Sequence, residues 1–328
     1  MPEAPSWREV LSKIISSPAE RDRIANEIGV RSITLTRWST GESTPRLQNL
    51  RQLLNALPKQ QRDQLLEVLE ELPSDFLVPL IDATSSEISY KFIMEVLDSR
   101  ATMSDTLRFW TISRLVLQQA LRQLDPERQG MAITVVRCMP PGTDGKIHSL
   151  RESLGQGSPP WEGDLEQKAM FLGAESLAGY VVATCRPEAV QDLMKDKTFL
   201  PAYQTEHEVS AAAHPIMYAG RVAGCLLLSC TQPNYFLSQA RLSLIHDYAS
   251  LLALAFDPEE FYKPECIEFR VMPPLEKQHP YFASFRQRVL KLIGESVAAG
   301  RPLTNIQAEQ LVWQELENIL LHLPPETE

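Results

Sequence analysis

The stretch Val209-SAAAHPIMYAGRVAGCLLLS-Cys230 sets the fold. Two apolar runs, Val209 to Tyr218 and Arg221 to Cys230, flank the dipeptide Ala219-Gly220, and a two-residue link of this kind closes a tight β-hairpin. Side chains alternate across a strand, so Val222, Gly224, Leu226, Leu228 and Cys230 share one face while Ala223, Cys225, Leu227 and Ser229 share the other. Both faces are mostly apolar. The strand therefore needs cover on both sides, which an isolated hairpin cannot supply.

The flanking sequence supplies it. Upstream, Met131 to Cys138 reads as a strand, Pro140 to Gly145 as a turn, and Lys146 to Leu154 as a second strand. A helical pattern from Glu166 to about Thr184 and a short strand from Glu188 to Leu193 lead into the hairpin. After it, Ser238 to Phe256 carries Leu242, Leu244, Ile245, Tyr248, Leu251, Leu252 and Leu254 at helical spacing. The order helix, two strands, helix, strand, hairpin, helix describes an antiparallel sheet layered with helices. Beyond Pro258 the pattern gives a strand at Cys266 to Val271, a Pro273-Pro274 break, and helices at Tyr281 to Ala298 and Asn305 to Leu321. The last of these is strongly apolar and docks either on the sheet domain or on another subunit.

Ahead of the sheet the chain is helical. Residues 59–82 form a support helix carrying Leu65, Leu66, Leu69 and Leu72 and stopping at Pro73, and a second helix runs from about Glu87 to Leu97. The helix Asp105 to Leu124 has two stripes: Phe109, Ile112, Val116 and Ala120, then Trp110, Leu117, Leu121 and Leu124. One stripe covers the sheet domain. The other finds its partner within the monomer or in the same helix of a second copy, which makes a homodimer the economical expectation.

The first 58 residues read as a separate bundle. Trp7 to Ile15 is one helix, Ser17-Pro18-Ala19-Glu20 is a capping box opening a second, and Gly29 ends it with Val30 plugging the turn. A short helix through Ser32 to Trp38 stops at Gly41, and Thr44-Pro45 opens a fourth with Leu47, Leu50, Leu54 and Leu57.

Composition constrains the partners. The chain has 328 residues, 44% hydrophobic and 23% charged, enough for two domains and a connector. A net charge of −10 argues against indiscriminate coating of nucleic acid, which runs on phosphate neutralisation. Residues 1–58 nevertheless carry eight basic against six acidic side chains, so this end alone suits a polyanion. The five cysteines, Cys138, Cys185, Cys225, Cys230 and Cys266, show no C-x-x-C spacing and read as reduced and structural. No apolar run approaches the ~20 residues of a membrane span, and the start lacks a signal-peptide pattern. The expectation is a soluble, cytoplasmic protein with no membrane partner.

Two family resemblances sharpen this reading. The run RIANEIGVRSITLTRWSTGESTP, Arg23 to Pro45, resembles the Xre-type (lambda repressor and Cro-like) helix-turn-helix family, in the pattern I-A-x-x-x-G-V-x-x-x-T-L-x-R-W-x-x-G-x-x-x-P. That resemblance implies double-stranded DNA as partner, with Arg31, Ser32, Thr34 and Arg37 facing it and Val30, Leu35 and Trp38 in the core. Where the family has a small polar cap this chain has Arg31, so the helix starts at Ser32 and the base-contact register can slip by one. Further on, Glu175-SLAGYVVATCR-Pro187 and His214-Pro-Ile with Gly220-RVAGCLLLS resemble the G-x-x-G-W/Y-V-A-x-T-G-R-P and P-I-x-x-x-G-x-x-x-G-x-L-x-L segments of GAF domains. Thr184-Cys185 stands where that family has Thr-Gly.

A GAF-like domain implies binding rather than turnover, as a small-molecule pocket or a dimer scaffold. The cofactor is unknown. Lys195-DKT-Phe199 is followed by Leu-Pro-Ala-Tyr instead of the cyclic-nucleotide signature, and no Cys-His dipeptide offers a covalent bilin anchor, so both ligands are disfavoured. Trp161, Tyr180, Tyr203 and Tyr218 are the candidate lining of an apolar pocket, against the alternative that they are packing aromatics. His214, with His207 and with Cys230 behind, is the candidate for haem or iron, against the alternative of a packed strand histidine. Cys225 and Cys230 point to opposite strand faces, which disfavours the cysteine chemistry of GAF-like methionine sulfoxide reductases. Without G-x-S-x-G, H-E-x-x-H, P-loop or G-x-G-x-x-G runs, the expectation is a protein that is not an enzyme.

The sequence thus describes a multidomain α and α+β protein: a helix-turn-helix bundle at 1–58, a helical connector at 59–104, a GAF-like sensor at 105–260 and a mostly helical extension at 261–328. The function expected is a homodimeric, sequence-specific transcription regulator tuned by a small-molecule effector. The alternative is a signalling adaptor whose head binds protein and whose GAF-like part is a dimerisation scaffold.

Overall fold

The computed structural model describes residues 6–58, 60, 61, 64, 65, 68, 87–165, 170–195 and 207–323. The chain divides into two compact units, residues 1–89 with 122–127, and 90–121 with 128–328. The expected support helix at 59–82, Tyr203, and the start of the helical pattern at Glu166 fall largely or wholly outside the described residues.

The first unit is built on four helices: α1 (Trp7–Ile14), α2 (Pro18–Glu27), α3 (Ser32–Thr40) and α4 (Leu47–Ala56). They close on one core of Leu11, Ile14, Ile15, Ile24, Ala25, Ile28, Leu35, Trp38, Leu50, Leu53, Leu54, Ala56, Leu57 and Leu65, with Val30 packed partly buried against it. The α2–α3 link needs Gly29 because its φ is +70°, a region costly for residues with a Cβ. Val30 N–H then bonds back to Ala25 C=O at 2.9 Å. The capping box expected at Ser17 and Glu20 is not formed. Glu20 instead receives the Arg23 guanidinium at 2.5 Å, and Pro18 at the first helical position needs no donor partner. The fourth helix begins at Leu47, later than Thr44-Pro45 suggests, behind an extended Arg46.

The second unit begins with α5 (Tyr90–Thr102) and α6 (Asp105–Leu124), of which the last three residues belong to the first unit. It then forms a six-stranded antiparallel sheet from β1 (Met131–Cys138), β2 (Leu150–Gly157), β3 (Phe171–Leu172), β4 (Glu188–Val190), β5 (Ser210–Tyr218) and β6 (Arg221–Cys230), in the order β3-β2-β1-β6-β5-β4. Helix α7 (Leu177–Thr184) precedes β4, and α8 (Gln239–Leu252) follows the hairpin. The β5–β6 turn has positive φ at both Ala219 and Gly220, the geometry that matches strand twist.

The sheet is covered on both faces, as the doubly apolar β6 requires. One face carries Val136, Cys138, Leu150, Ala211, Ala213 and Cys225 against Leu177, Ala178, Val181 and Val182 of α7. On the other, Arg137 lies 4.2 Å from the Phe109 ring of α6, and Phe109 meets Phe256 edge-on. Gly224 sits where β6 presses closest on β1: a Cβ there would lie 1.9 Å from the Val136 carbonyl oxygen.

Several element boundaries differ from the sequence reading. The second strand runs from Leu150 to Gly157, displaced toward the C-terminus, with a bulge against Val135 and Val136. The helix expected from Glu166 to Thr184 is short because β3 and a turn at Gly173 come first, and Ser176 then caps α7 by accepting from Gly179 N–H at 2.9 Å. The strand at Glu188 ends at Val190, and the helix expected from Glu87 runs from Tyr90 to Thr102. That helix belongs with the second unit: Phe92 packs edge-on against Tyr248, and Arg100 bonds the Phe256 carbonyl at 3.3 Å. On α6 the first stripe is buried throughout, and Leu117 and Leu124 of the second stripe are buried too, while Trp110 is exposed.

The C-terminal extension docks on the sheet domain. The segment expected as a strand at Cys266–Val271 is extended and bonds residues 147–148 through Ile147 N–H to Cys266 C=O, Glu268 N–H to Ile147 C=O and Arg270 N–H to His148 C=O. It forms a bridge at Ile267 rather than a further strand of the sheet, and Tyr262 bridges Val222. Three helices follow: α9 (Leu275–Phe282), α10 (Phe285–Ala298) and α11 (Asn305–Leu321), the first two separated at Ala283-Ser284 where a single helix from Tyr281 was expected. Trp313 stacks on Phe285 at 4.2 Å and lies under the Arg151 guanidinium at 4.5 Å. Gln278 holds the outer edge of β3, accepting from Phe171 N–H and donating to Phe171 C=O, each at 2.8 Å.

Candidate functional site

In the first unit, helix α3 offers the candidate contact surface. Leu35 and Trp38 anchor it in the core, which leaves Arg31, Ile33 and Arg37 exposed. Arg31 is the N-cap, so the helix begins at Ser32, the later of the two starts the sequence allowed. Ser32 is not idle: its hydroxyl donates to Asp22 of α2 at 2.5 Å. Thr34 is half-buried. Arg37 is 59% exposed and its Nε lies 3.8 Å from Glu42, an exposed pair worth little and readily exchanged for another anion. Arg23, by contrast, is committed to Glu20, Glu27 and the Ala56 carbonyl. Ile33 is the residue that motif matching passed over. This β-branched apolar side chain is 54% exposed and lies outside the core cluster of the described residues.

In the second unit, the α7 side of the sheet carries a polar strip beyond the apolar core. The β2 bulge brings Glu152 opposite Val136 and Gly155 opposite Thr134, placing Thr134, Glu152, Leu227 and Ser229 on one face. Glu208 joins them by accepting the Ser229 hydroxyl at 2.6 Å. Burial, reinforced by the Glu208 charge, pushes the Glu152 carboxyl up to about 8, so it keeps its proton at neutral pH. Leu165 lies over Gly155, and Trp161 with the Glu162 carbonyl over Gly157. The sequence signal for this strip was an acidic residue inside an expected strand, at even spacing from Leu150 and Leu154.

The sequence-derived pocket residues do not share one face. Trp161 lies at the β2 end of the α7 face, and Tyr180 is exposed on α7 itself. Tyr218 is exposed at the hairpin tip against Phe261. Cys230 is buried on the opposite face, the face of His214, with its sulfur 3.5 Å from Gln232 N–H. His214 turns toward α8, where its Nε2 lies 3.0 Å from His246 Nδ1, and burial lowers its pKa. The thiols of Cys138, Cys185 and Cys225 gather in or against the α7 core, where burial raises each of them. Cys185 occupies the expected glycine position with φ +52°. Among the described residues no group of three or more His, Cys, Asp or Glu is arranged to hold a metal ion, and no helix is long and apolar enough to cross a membrane.

This sheet, with α7 on one face and α6 and α8 on the other, is the setting in which residues 111–257 match the family model described as GAF domain. The match covers less than half of the chain. Solved structures to which the chain shows similarity include the GAF domain of an Acinetobacter phosphoenolpyruvate-protein phosphotransferase, with 16% identity over 51% of this chain and 93% of that one, at a TM-score of 0.35. A type II free methionine-R-sulfoxide reductase from Thermoplasma acidophilum shares 17% identity over 48% and 99%, at 0.34. The GAF-B domain of DevS from Mycobacterium smegmatis shares 19% over 45% and 91%, at 0.30. At these scores the assignment rests on the family model. No curated protein matches the chain.

Proposed function

We propose that this protein is a DNA-binding regulator in which residues 1–58 dock on duplex DNA and the GAF domain makes that docking conditional on a signal. The observation that carries the proposal is the placement of Arg31, Ile33 and Arg37 on the exposed side of α3, with Leu35 and Trp38 fixing the helix behind them. A short helix after a tight turn, with arginine and an apolar tip outward, suits a major groove, where Arg forks onto guanine and an apolar group meets a thymine methyl. The excess of positive charge at this end of an acidic chain adds the steering term.

The active species in this reading is a homodimer. Tyr90, Met94 and Leu97 stand exposed at helical spacing on α5, and Leu107 and Trp110 are exposed on α6. Two copies joined there would present two heads to half-sites about 34–36 Å apart. A small-molecule effector in the GAF domain would act by altering that spacing, and equal head spacing in scattering across effector states would remove this step.

A second reading has specific support. Glu42 beside Arg37 and Asp22 beside Ser32 put acidic groups on the same surface, as a protein-binding head of a signalling adaptor would. Fluorescence anisotropy with labelled duplex DNA across salt separates the two. The regulator loses at least about tenfold in affinity between 50 and 200 mM salt, and Arg37→Ala lowers the salt slope by about one. Affinity that is weak and indifferent to salt in both proteins favours the adaptor.

A further inference from the structure

The histidine pair on the α8 side of the sheet is absorbed by neither reading. We propose that His214 and His246 form a two-imidazole site for a divalent late transition-metal ion, Ni(II) or Cu(II) in preference to Zn(II). The residues lie on different elements, β5 and α8, so their approach is fixed by the packing of a strand against a helix. Their facing nitrogens, His214 Nε2 and His246 Nδ1, are 3.0 Å apart, with ring centroids at 4.8 Å.

The hydrogen bonds fix the tautomers. His214 Nδ1 lies 3.0 Å from the Pro215 carbonyl oxygen. A carbonyl only accepts, so Nδ1 carries the hydrogen, and His214 Nε2 accepts from His246 Nδ1–H in the ion-free pair; a bound ion takes the place of that hydrogen, with His246 carrying its proton on Nε2. This is the arrangement in which an imidazole ligates a metal, its far N–H held by a backbone carbonyl that sets tautomer and orientation. His246 is exposed, so an ion can reach the pair from solvent with water completing its shell. The neighbouring Asp247, also exposed, adds a negative charge felt at His214.

The 3.0 Å separation is that of the hydrogen bond between the rings. An ion that replaces the hydrogen without moving them, with metal–nitrogen bonds of about 2.05 Å, would hold the two nitrogens about 94° apart, whereas a tetrahedral site would need them to part to about 3.35 Å. An angle near 90° is the cis angle of square-planar and octahedral centres, which Ni(II) and Cu(II) favour and structural zinc does not.

The test is isothermal titration of the full chain with Ni(II), followed by proton NMR of the loaded protein. Ni(II) is the probe of choice because it does not oxidise the free thiols. One Ni(II) per chain is expected, with a strongly shifted imidazole N–H resonance from His214, and Zn(II) binding more weakly. Affinity falls at least tenfold in His246→Gln, whose exposed position spares the fold, and likewise in His214→Gln with an unchanged circular dichroism spectrum. Ni(II) binding that survives either substitution, no Ni(II) binding at all, or Zn(II) held more tightly than Ni(II) would each overturn the proposal.

Discussion

Glu152 shows how one buried side chain sets a pH response. Its folded pKa, about 8, lies above its ordinary value of 4.5, so between these limits the folded state holds a proton the unfolded state has lost. Its contribution to stability therefore falls as pH rises from about 4.5 to about 8. Glu152→Gln, which stays neutral, should melt above the parent by a margin that widens from pH 5 to pH 8. A melting difference independent of pH would show that Glu152 is charged in the fold. Glycines give a second comparison at this scale. At Gly29 a Cβ meets nothing within 4 Å, so Gly29→Ala carries only the strain of positive φ, about 1 kcal/mol. At Gly224 the Cβ would strike the Val136 carbonyl, and Gly224→Ala should cost about 3 kcal/mol or more by urea unfolding. Both glycines stood out in the sequence by their place in a pattern. Glu152 did not, because a carboxylate in a strand declares its face only once the bulge fixes the register.

Among elements, the hairpin β5–β6 was legible to within a residue because alternation, a two-residue turn and a doubly apolar strand all agreed. The region ahead of α7 was not, since Phe171-Leu172 is too short a strand to show periodicity and was read as part of the helix that follows. That strand survives at the edge because Gln278 supplies both bonds a neighbouring strand would. Gln278→Leu leaves two buried backbone groups without partners, an expected loss of about 2–4 kcal/mol. Hydrogen exchange at Phe171 should rise with it. Unchanged unfolding free energy and exchange would mean that the edge is held by the Trp313 cluster alone. The C-terminal helices were legible as helices, but their partner was not, because an apolar stripe does not name what it covers.

At the scale of the molecule, the sequence separates a basic helical end from an acidic remainder. It assigned α5 to a connector, whereas the helix packs on Tyr248 and Phe256 within the second unit. Charge and apolar exposure both bear on assembly. Trp110→Asp, placed on the exposed apolar surface of α6, should shift sedimentation toward monomer if two copies meet there, and an unchanged sedimentation coefficient would move the interface elsewhere. The most direct test of the account is selection from a randomised duplex DNA library by the purified full chain, with Arg37→Ala in parallel. The account predicts a repeated motif recovered by the parent and lost or relaxed in the variant. Sequences no more enriched than bulk DNA at modest salt would contradict it.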